Sequence, residues 1–334
     1  MSATTPAATT PISSLRKLIQ RRVSWLPVGA AVLILILMFA AGQSYFGRFL
    51  TPRLLSSLLV DNAYLIVLAA GMTFVILTGG IDLSVGAVMA FTGMLAAKLL
   101  STGVPTGVVI PLMIASGAVF GLIIGVLVNY FDVQPFIASL AGMFLARGLC
   151  FVVSLEAVQV KDTTVLGLQS VKLGTFEWYI TPTGIIALLV IVVAAWVLGY
   201  TRFGRTVYAI GGNEQSAVLM GLPVRSTVVG VYTLSGFCSA LGGVVFTFYM
   251  LSGYGLHAIG LELDAIAAVV IGGTLLTGGV GYVVGTLFGV LMLGIIQTLI
   301  SFDGTLSSWW TKIFIGALLL IFVILQRLLA IRRR

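Results

Sequence analysis

GIIALLVIVVAAWVL, residues Gly184–Leu198, contains no charged residue and no proline, and FIGALLLIFVIL, residues Phe314–Leu325, reads the same way. Neither stretch alternates apolar with polar residues, as the roughly 10-residue strands of a transmembrane barrel do. In hydrocarbon every backbone N–H and C=O must pair inside the structure, which leaves helices or a closed barrel. Without alternation the helix remains, and about 20 apolar residues carry it across roughly 30 Å of hydrocarbon. The whole chain agrees. Of its 334 residues 59% are hydrophobic and 8% are charged, and its mean hydropathy is +1.16, whereas a soluble domain carries about 25% charge. The fold class read from the sequence is all-α, a polytopic transmembrane helix bundle.

The net charge of +8 does not point to nucleic acid. The basic residues stand at segment ends and chain ends, where membrane orientation accounts for them. Cys150 and Cys238 lie inside apolar runs and read as small buried hydrophobes. His257 is the single histidine, so no histidine metal cluster exists.

Residues 1–22, rich in Ser, Thr, Pro and Ala and then basic, read as a disordered cytoplasmic N-terminus; 23–328 read as the transmembrane domain, and 329–334 as a basic tail. The run from Trp25 to Gly42 is longer than a usual signal-peptide core, so it is read as a retained first helix. Nine further spans are expected near Leu55–Leu77, Leu83–Leu99, Val108–Val128, Phe136–Val153, Pro182–Leu198, Val228–Leu251, Leu263–Leu276, Val280–Ile300 and Trp309–Leu325. About ten spans place both termini in the cytoplasm. Arg16, Lys17, Arg21, Arg22, Arg202, Arg205, Arg225, Arg327 and Arg332–Arg334 then lie inside. Arg48, Arg53, Lys98, Lys161, Lys172 and Lys312 lie outside, an excess of the expected sign.

Leu77-Thr-Gly-Gly-Ile-Asp-Leu-Ser-Val-Gly86 and Leu276-Thr-Gly-Gly-Val-Gly-Tyr-Val-Val-Gly285 share six of ten residues. Each sits where one apolar run hands over to the next, so the chain is expected to have two related halves with glycine-interrupted spans. Gly79, Gly80, Gly278 and Gly279 are therefore candidates for a break or gate in the path. Gly117, Gly121 and Gly125, and again Gly281, Gly285 and Gly289, recur at spacing four and read as helix-packing faces.

The stretch 199–227 is the chain's cytoplasmic loop in this topology. Its core, TRFGRTVYAIGGNEQSA at 201–217 and MGLPV at 220–224, is amphipathic and basic at its edges. A turn is expected at Gly211-Gly212, then a short helix N-capped by Asn213 with Glu214 in its first turn. Gly221 ends that helix, and Pro223 follows. This stretch resembles the coupling loop of the ribose- and galactose-type ABC importer permeases. The resemblance runs from about Leu55 to about Leu325 and includes GMTFVILTGGIDLSVG at 71–86 and ELDAIAAVVIGGT at 262–274. Asp61-Asn62-Ala63, Ala90-Phe91-Thr92-Gly93 and FDGTLSSWWTK at 302–312 bring it nearest to galactofuranose permeases.

That resemblance implies a type II ABC importer-like bundle in a bacterial inner membrane. It implies an identical or related second permease subunit, a cytoplasmic ATPase that binds ATP and Mg, and a periplasmic sugar-binding protein. It also implies that Arg202, Gly204, Arg205, Gly211, Gly212, Asn213, Glu214, Ala217 and Gly221 form the surface that receives the ATPase. The chain carries no G-x-x-x-x-G-K-[ST], H-E-x-x-H or G-x-S-x-G, so neither cofactor nor catalysis is expected of it.

Polar residues in apolar runs are candidates for the path. Asp82, before Ser84, either caps a helix start or lines the path. Arg147 either pairs structurally or serves the path. Asn62, Thr73, Asn129, Gln134, Gln297 and Asp303 can line it or bond between helices. Glu262 and Asp264 open a span, where capping also accounts for them. An ion-coupled transporter of a small polar solute is the rival reading, and Asp82 is the lone intramembrane carboxylate it could use.

Overall fold

The computed structural model describes residues 26–307 and 309–331. The expected disordered segment 1–22, with its basic cluster Arg16–Arg22, and Arg332–Arg334 lie outside the described residues. The described chain has fourteen helices: α1 (Leu26–Phe46), α2 (Pro52–Asp61), α3 (Ala63–Leu77), α4 (Val85–Ser101), α5 (Thr106–Tyr130), α6 (Pro135–Val153), α7 (Thr163–Ser170), α8 (Pro182–Tyr200), α9 (Arg202–Gly212), α10 (Glu214–Leu219), α11 (Val224–Met250), α12 (Leu261–Ile271), α13 (Val283–Asp303) and α14 (Trp309–Ile331).

Six of these helices are long and apolar enough to cross a membrane, and a seventh span results if α2 and α3, bent by 55°, are joined. The ten expected spans are not matched one for one. The run at 55–77 breaks at the polar pair Asp61-Asn62. There the Asn62 side chain donates to the Leu58 carbonyl at 2.8 Å, a local bond that competes with helix continuation. The run expected at 263–276 is helical only to Ile271. At 1.5 Å per residue, α12 covers about 16 Å and cannot cross alone.

α3 is the central strut. Fourteen of its fifteen residues are buried, as befits a helix that is apolar on every side. α11 and α13 pack around it, and α5 lies on α11. The spacing-four glycines that fall inside helices pack as expected, while Gly281 lies in the break before α13: a Cβ on Gly121 would come 2.1 Å from the Tyr232 carbonyl oxygen, and one on Gly236 would come 2.1 Å from that of Gly117. Gly289 meets the Ala268 carbonyl in the same manner, at 1.9 Å, where α13 crosses α12. Cys150 and Cys238 are buried and free. Leu33, Val119, Phe144, Leu189 and Trp196 stand exposed on α1, α5, α6 and α8, a surface suited to lipid tails rather than water.

The long connection after α6 is folded, so the bundle is not purely helical. Strand β1 (Val158–Gln159) pairs antiparallel with β4 (Ser252–Gly253), and β2 (Leu173–Gly174) pairs with β3 (Tyr179–Ile180). Asp162 caps α7, accepting from the amides of Thr164 and Val165 and from the Thr106 hydroxyl at 2.9–3.0 Å. These hydrogen bonds hold its carboxyl below the ordinary aspartate range, the Val165 amide contributing most.

Candidate functional site

α3 ends where the first glycine pair stands. Gly79 adopts φ +83°, its amide donates to the Ile76 carbonyl, and the Gly80 amide reaches the Val75 carbonyl. This is the left-handed closure that satisfies a helix's last carbonyls. The second glycine pair is not its structural copy. α12 closes in the same way five residues before Gly278, at Gly273, with φ +97°. Gly278 and Gly279, at φ +81° and +75°, then form a separate turn inside the 272–282 break. Both LTGG motifs nevertheless meet, since the Gly279 amide donates to the Leu77 carbonyl at 2.9 Å.

A third glycine pair joins them from α9. Gly211 and Gly212 were expected to form a turn, but they lie in the last turn of α9. The chain leaves the helix only at Asn213, whose backbone is extended at φ −166°. Gly211 has no side chain because there is no room for one: a Cβ would sit 1.8 Å from the Leu77 oxygen and 2.3 Å from the Gly279 nitrogen. Tyr208, one turn earlier, donates its hydroxyl to the Gly281 carbonyl at 2.8 Å. α9 is thus seated by its backbone on both glycine junctions.

The rest of the 199–227 segment matches its expected capping. Asn213 Oδ1 accepts the Ser216 amide at 2.7 Å, and Gly221 closes α10 at φ +71°. Glu214 is exposed, whereas Ala217 is fully buried against its own chain. Glu214, Gln215 and Ser216 expose a polar first turn of α10, and Val218, Leu219 and the C-capping Met220 expose an apolar end, with Leu219 87% exposed. Arg202 and Arg205 line a groove of about 550 Å³ with Phe203, Leu222 and Thr227, and Gly204 packs against the end of α8.

Asp82 and Ser84 are brought together, but in the interior. The Ser84 amide and hydroxyl donate to Asp82 Oδ1 at 2.9 and 2.6 Å, and the Ser235 hydroxyl of α11 donates to Oδ2 at 2.8 Å. Asp82 is fully buried, so in this conformation it braces the break against α11. The Tyr232 hydroxyl, beside Gly80, has no partner among the described residues. Thr73 bonds Thr286 at 2.9 Å and ties α3 to α13.

The opposite end of α3 carries a different structure. Two cavities of about 430 and 360 Å³ adjoin there and share Asn62, Tyr64, Gln297 and Ser301. Asp61 and Tyr249 line the first, and Asp264, paired with Lys312 at 2.7 Å, lines the second. Asn62 and Asp264 therefore share one cleft, about 20 Å along α3 from the glycine junction at 1.5 Å per residue. Asp303 lines neither cavity and accepts the Thr305 hydroxyl. Arg147 reaches from α6 to the carbonyls of Gly255 and His257, both at 2.6 Å, and pins the segment before α12. Glu262 Oε1 accepts the Gly260 amide at 3.2 Å, while Oε2 is unpartnered among the described residues. Tyr64, Tyr249 and Ser301 carry no mark in the sequence that points to the cleft. The Asp61-Asn62 pair, two polar residues interrupting an apolar run, is the signal that could have found its centre.

Residues 54–323 match the family described as "Branched-chain amino acid transport system / permease component". Among curated relatives, the inner membrane ABC transporter permease protein YjfF of Escherichia coli is 47% identical, covering 90% of this chain and 92% of its own. The fructose import permease protein FruG of Bifidobacterium longum is 45% identical, with 90% and 91% covered. The ribose import permease protein RbsC of Escherichia coli is 35% identical, with 91% and 94% covered. No solved structure matches.

Proposed function

The chain belongs to the branched-chain amino acid transport system permease-component family, and within it to the ribose/galactose-type sugar permeases; from that premise we propose that it is the membrane-embedded subunit of an ATP-driven monosaccharide importer. The observation that carries the mechanism is the seating of α9 on both glycine junctions. A cytoplasmic ATPase docks on α10 and the Arg202–Arg205 groove, where exposed Val218, Leu219 and Met220 offer an apolar tip of the kind partner helices and grooves recognise. Movement of α10 reaches α9 through Asn213, and α9 has no soft side chain between its Gly211 backbone and the backbones of Leu77 and Gly279. A push there displaces the ends of α3 and of the 272–282 break together, which rocks the two sides of the bundle in alternating access.

In this reading the chain crosses a bacterial inner membrane about ten times with both termini in the cytoplasm, and α4, α12 and α14 complete spans that length alone does not grant. The two LTGG-bearing regions are related halves that diverged in where their first helix stops. A second permease subunit, identical or related, and a periplasmic sugar-binding protein complete the importer. Galactofuranose is the sugar best supported by the motifs at 61–63, 90–93 and 302–312.

The test is uptake of labelled monosaccharides, galactofuranose among them, into cells or proteoliposomes holding the complete transporter. Uptake that stops when the ATPase subunit is inactivated supports the reading. Uptake that continues on an ion gradient replaces it with a secondary transporter, and cysteine labelling that puts 201–225 outside the cell removes the docking surface.

A further inference from the structure

We propose that the two-lobed cleft at the end of the bundle remote from α9 is itself a weak docking site for a neutral monosaccharide, an inference that rests on the importer reading. Its lobes, about 430 and 360 Å³, lie within the range of about 300–1,000 Å³ that small-molecule sites occupy. The shared neck presents the amides of Asn62 and Gln297 and the hydroxyl of Ser301, with the Asp61 carboxylate and the Tyr249 hydroxyl beside them. Carboxylate, amide and hydroxyl together supply both donors and acceptors, the match for sugar hydroxyls that act as both. Tyr64 and Tyr249, with ring centroids 6.0 Å apart, add aromatic faces for the apolar side of a sugar ring.

Charge selects the ligand class. Two acids, Asp61 and Asp264, face two bases, Arg53 and Lys312, so the cleft carries no net charge. Each charge is also already engaged. Lys312 Nζ contacts both Asp264 oxygens at 2.8 and 2.7 Å, the Arg53 guanidinium lies over the Phe176 ring at 5.3 Å, and Asp61 takes a hydrogen bond from Tyr249. A sugar acid or an amino acid would bring a carboxylate into a cleft whose lining charges already balance, whereas Gln297 keeps its amide exposed for a neutral hydroxyl. The cleft is open, which suits a path that must release what it binds. Its position at the α2–α3 bend puts the bound sugar on the helix whose other end α9 holds.

The full-length chain in lipid nanodiscs tests this by saturation-transfer NMR with D-ribose, D-fructose, L-arabinose, D-galacturonate and L-leucine as probes. The neutral sugars should bind and the two acids should not. Asp61→Asn and Gln297→Leu, both at exposed positions that leave the buried core untouched, should weaken sugar binding about tenfold or more. Sugar binding that is absent, that survives both substitutions unchanged, or that leucine or galacturonate equals overturns the proposal. The measurement needs neither ATP nor a partner subunit, so it judges the cleft alone. The importer reading is judged separately by ATP-dependent uptake.

Discussion

Gly211→Ala is the sharpest perturbation the molecule offers. The new methyl would lie 1.8 Å from the Leu77 carbonyl oxygen and 2.3 Å from the Gly279 nitrogen, so α9 or the junction must move by at least about 1.2 Å to restore a 3.0 Å approach. Both neighbours are backbone, and neither can rotate away as a side chain would. The Gly279 amide–Leu77 carbonyl bond, 2.9 Å long, lies in the path of that movement. Losing a buried bond of this kind costs about 1–3 kcal/mol, and overpacking adds about 1–3 kcal/mol. The better helix propensity of alanine returns about 1 kcal/mol, for a net loss of about 1–5 kcal/mol. Gly212→Ala is the control, because no atom lies within 4 Å of its Cβ, and it should be neutral or stabilising by up to about 1 kcal/mol. Denaturant unfolding of the detergent-solubilised chain reads the stability difference. Sugar transported per ATP hydrolysed, measured on the reconstituted importer, reads the coupling and should fall for Gly211→Ala alone. A Gly211→Ala chain as stable and as well coupled as wild type refutes the backbone relay, and so does a Gly212→Ala chain that fails equally.

Three further outcomes follow from other parts of the molecule. Leu219→Glu, at a position 87% exposed, should leave the folded chain in the membrane but abolish co-purification of the ATPase, whereas Ala217→Leu at a fully buried position should lower the yield of folded chain; the opposite assignment would show that α10 docks through another face. Because its hydrogen bonds hold the Asp162 carboxyl below the ordinary 3.8, the cap on α7 stabilises at full strength well above that pH and is lost as the pH falls through and beneath it; amide exchange at Thr164 and Val165 should therefore accelerate, beyond its intrinsic pH dependence, only in strong acid, and an onset near pH 6 would contradict the cap. Lys312→Ala breaks an ion pair whose lysine is 53% exposed, so unfolding free energy should change by no more than about 1 kcal/mol, and a larger loss would mean that the pair holds α14 in place.

The glycine-rich motifs show what a sequence carries and what it does not. Spacing-four glycines on α5 announced a close helix contact, because only the absence of a side chain permits one. Asn213, Gly221 and the LTGG at 77–80 announced helix ends through local bonds that reach no farther than a few residues. The second LTGG misled for the same reason that the first succeeded. Gly272-Gly273, a little upstream, is an equally good terminator, and the helix stops at the first closure it meets. Gly211-Gly212 looked like a turn in isolation, and nothing nearby in the sequence reveals that Leu77 and Gly279 occupy the space a side chain would need. Asp82 and Thr73 were legible as polar residues in apolar surroundings. Their partners, Ser235 and Thr286, lie more than 150 residues away. The cleft was half legible: the Asp61-Asn62 interruption marks its centre, but Tyr249 and Ser301 reach it only through the packing of α11 and α13 around α3.

The placement of the two sites at opposite ends of α3 constrains how energy can pass between them. α3 is buried along nearly its whole length, and close-packed interiors transmit displacement rather than absorb it. Its fifteen residues are uninterrupted by glycine except at Gly71, where a Cβ would meet the Cys238 side chain at 2.7 Å, so that position is a tight contact and not a hinge. The bend lies instead at Asn62, at the border of the cleft, where a 55° kink already separates α2 from α3. A rigid segment held by backbone at one end and hinged at the other acts as a lever. On the proposed coupling, displacement imposed through Gly211 would emerge at Asn62 as a change in the α2–α3 angle and reshape the cleft that Asn62 joins. The Thr73–Thr286 bond near the driven end couples the same movement to α13, which supplies Gln297 and Ser301 to the far wall. On the proposed coupling, both walls of the cleft would be moved from one point, the backbone of α9.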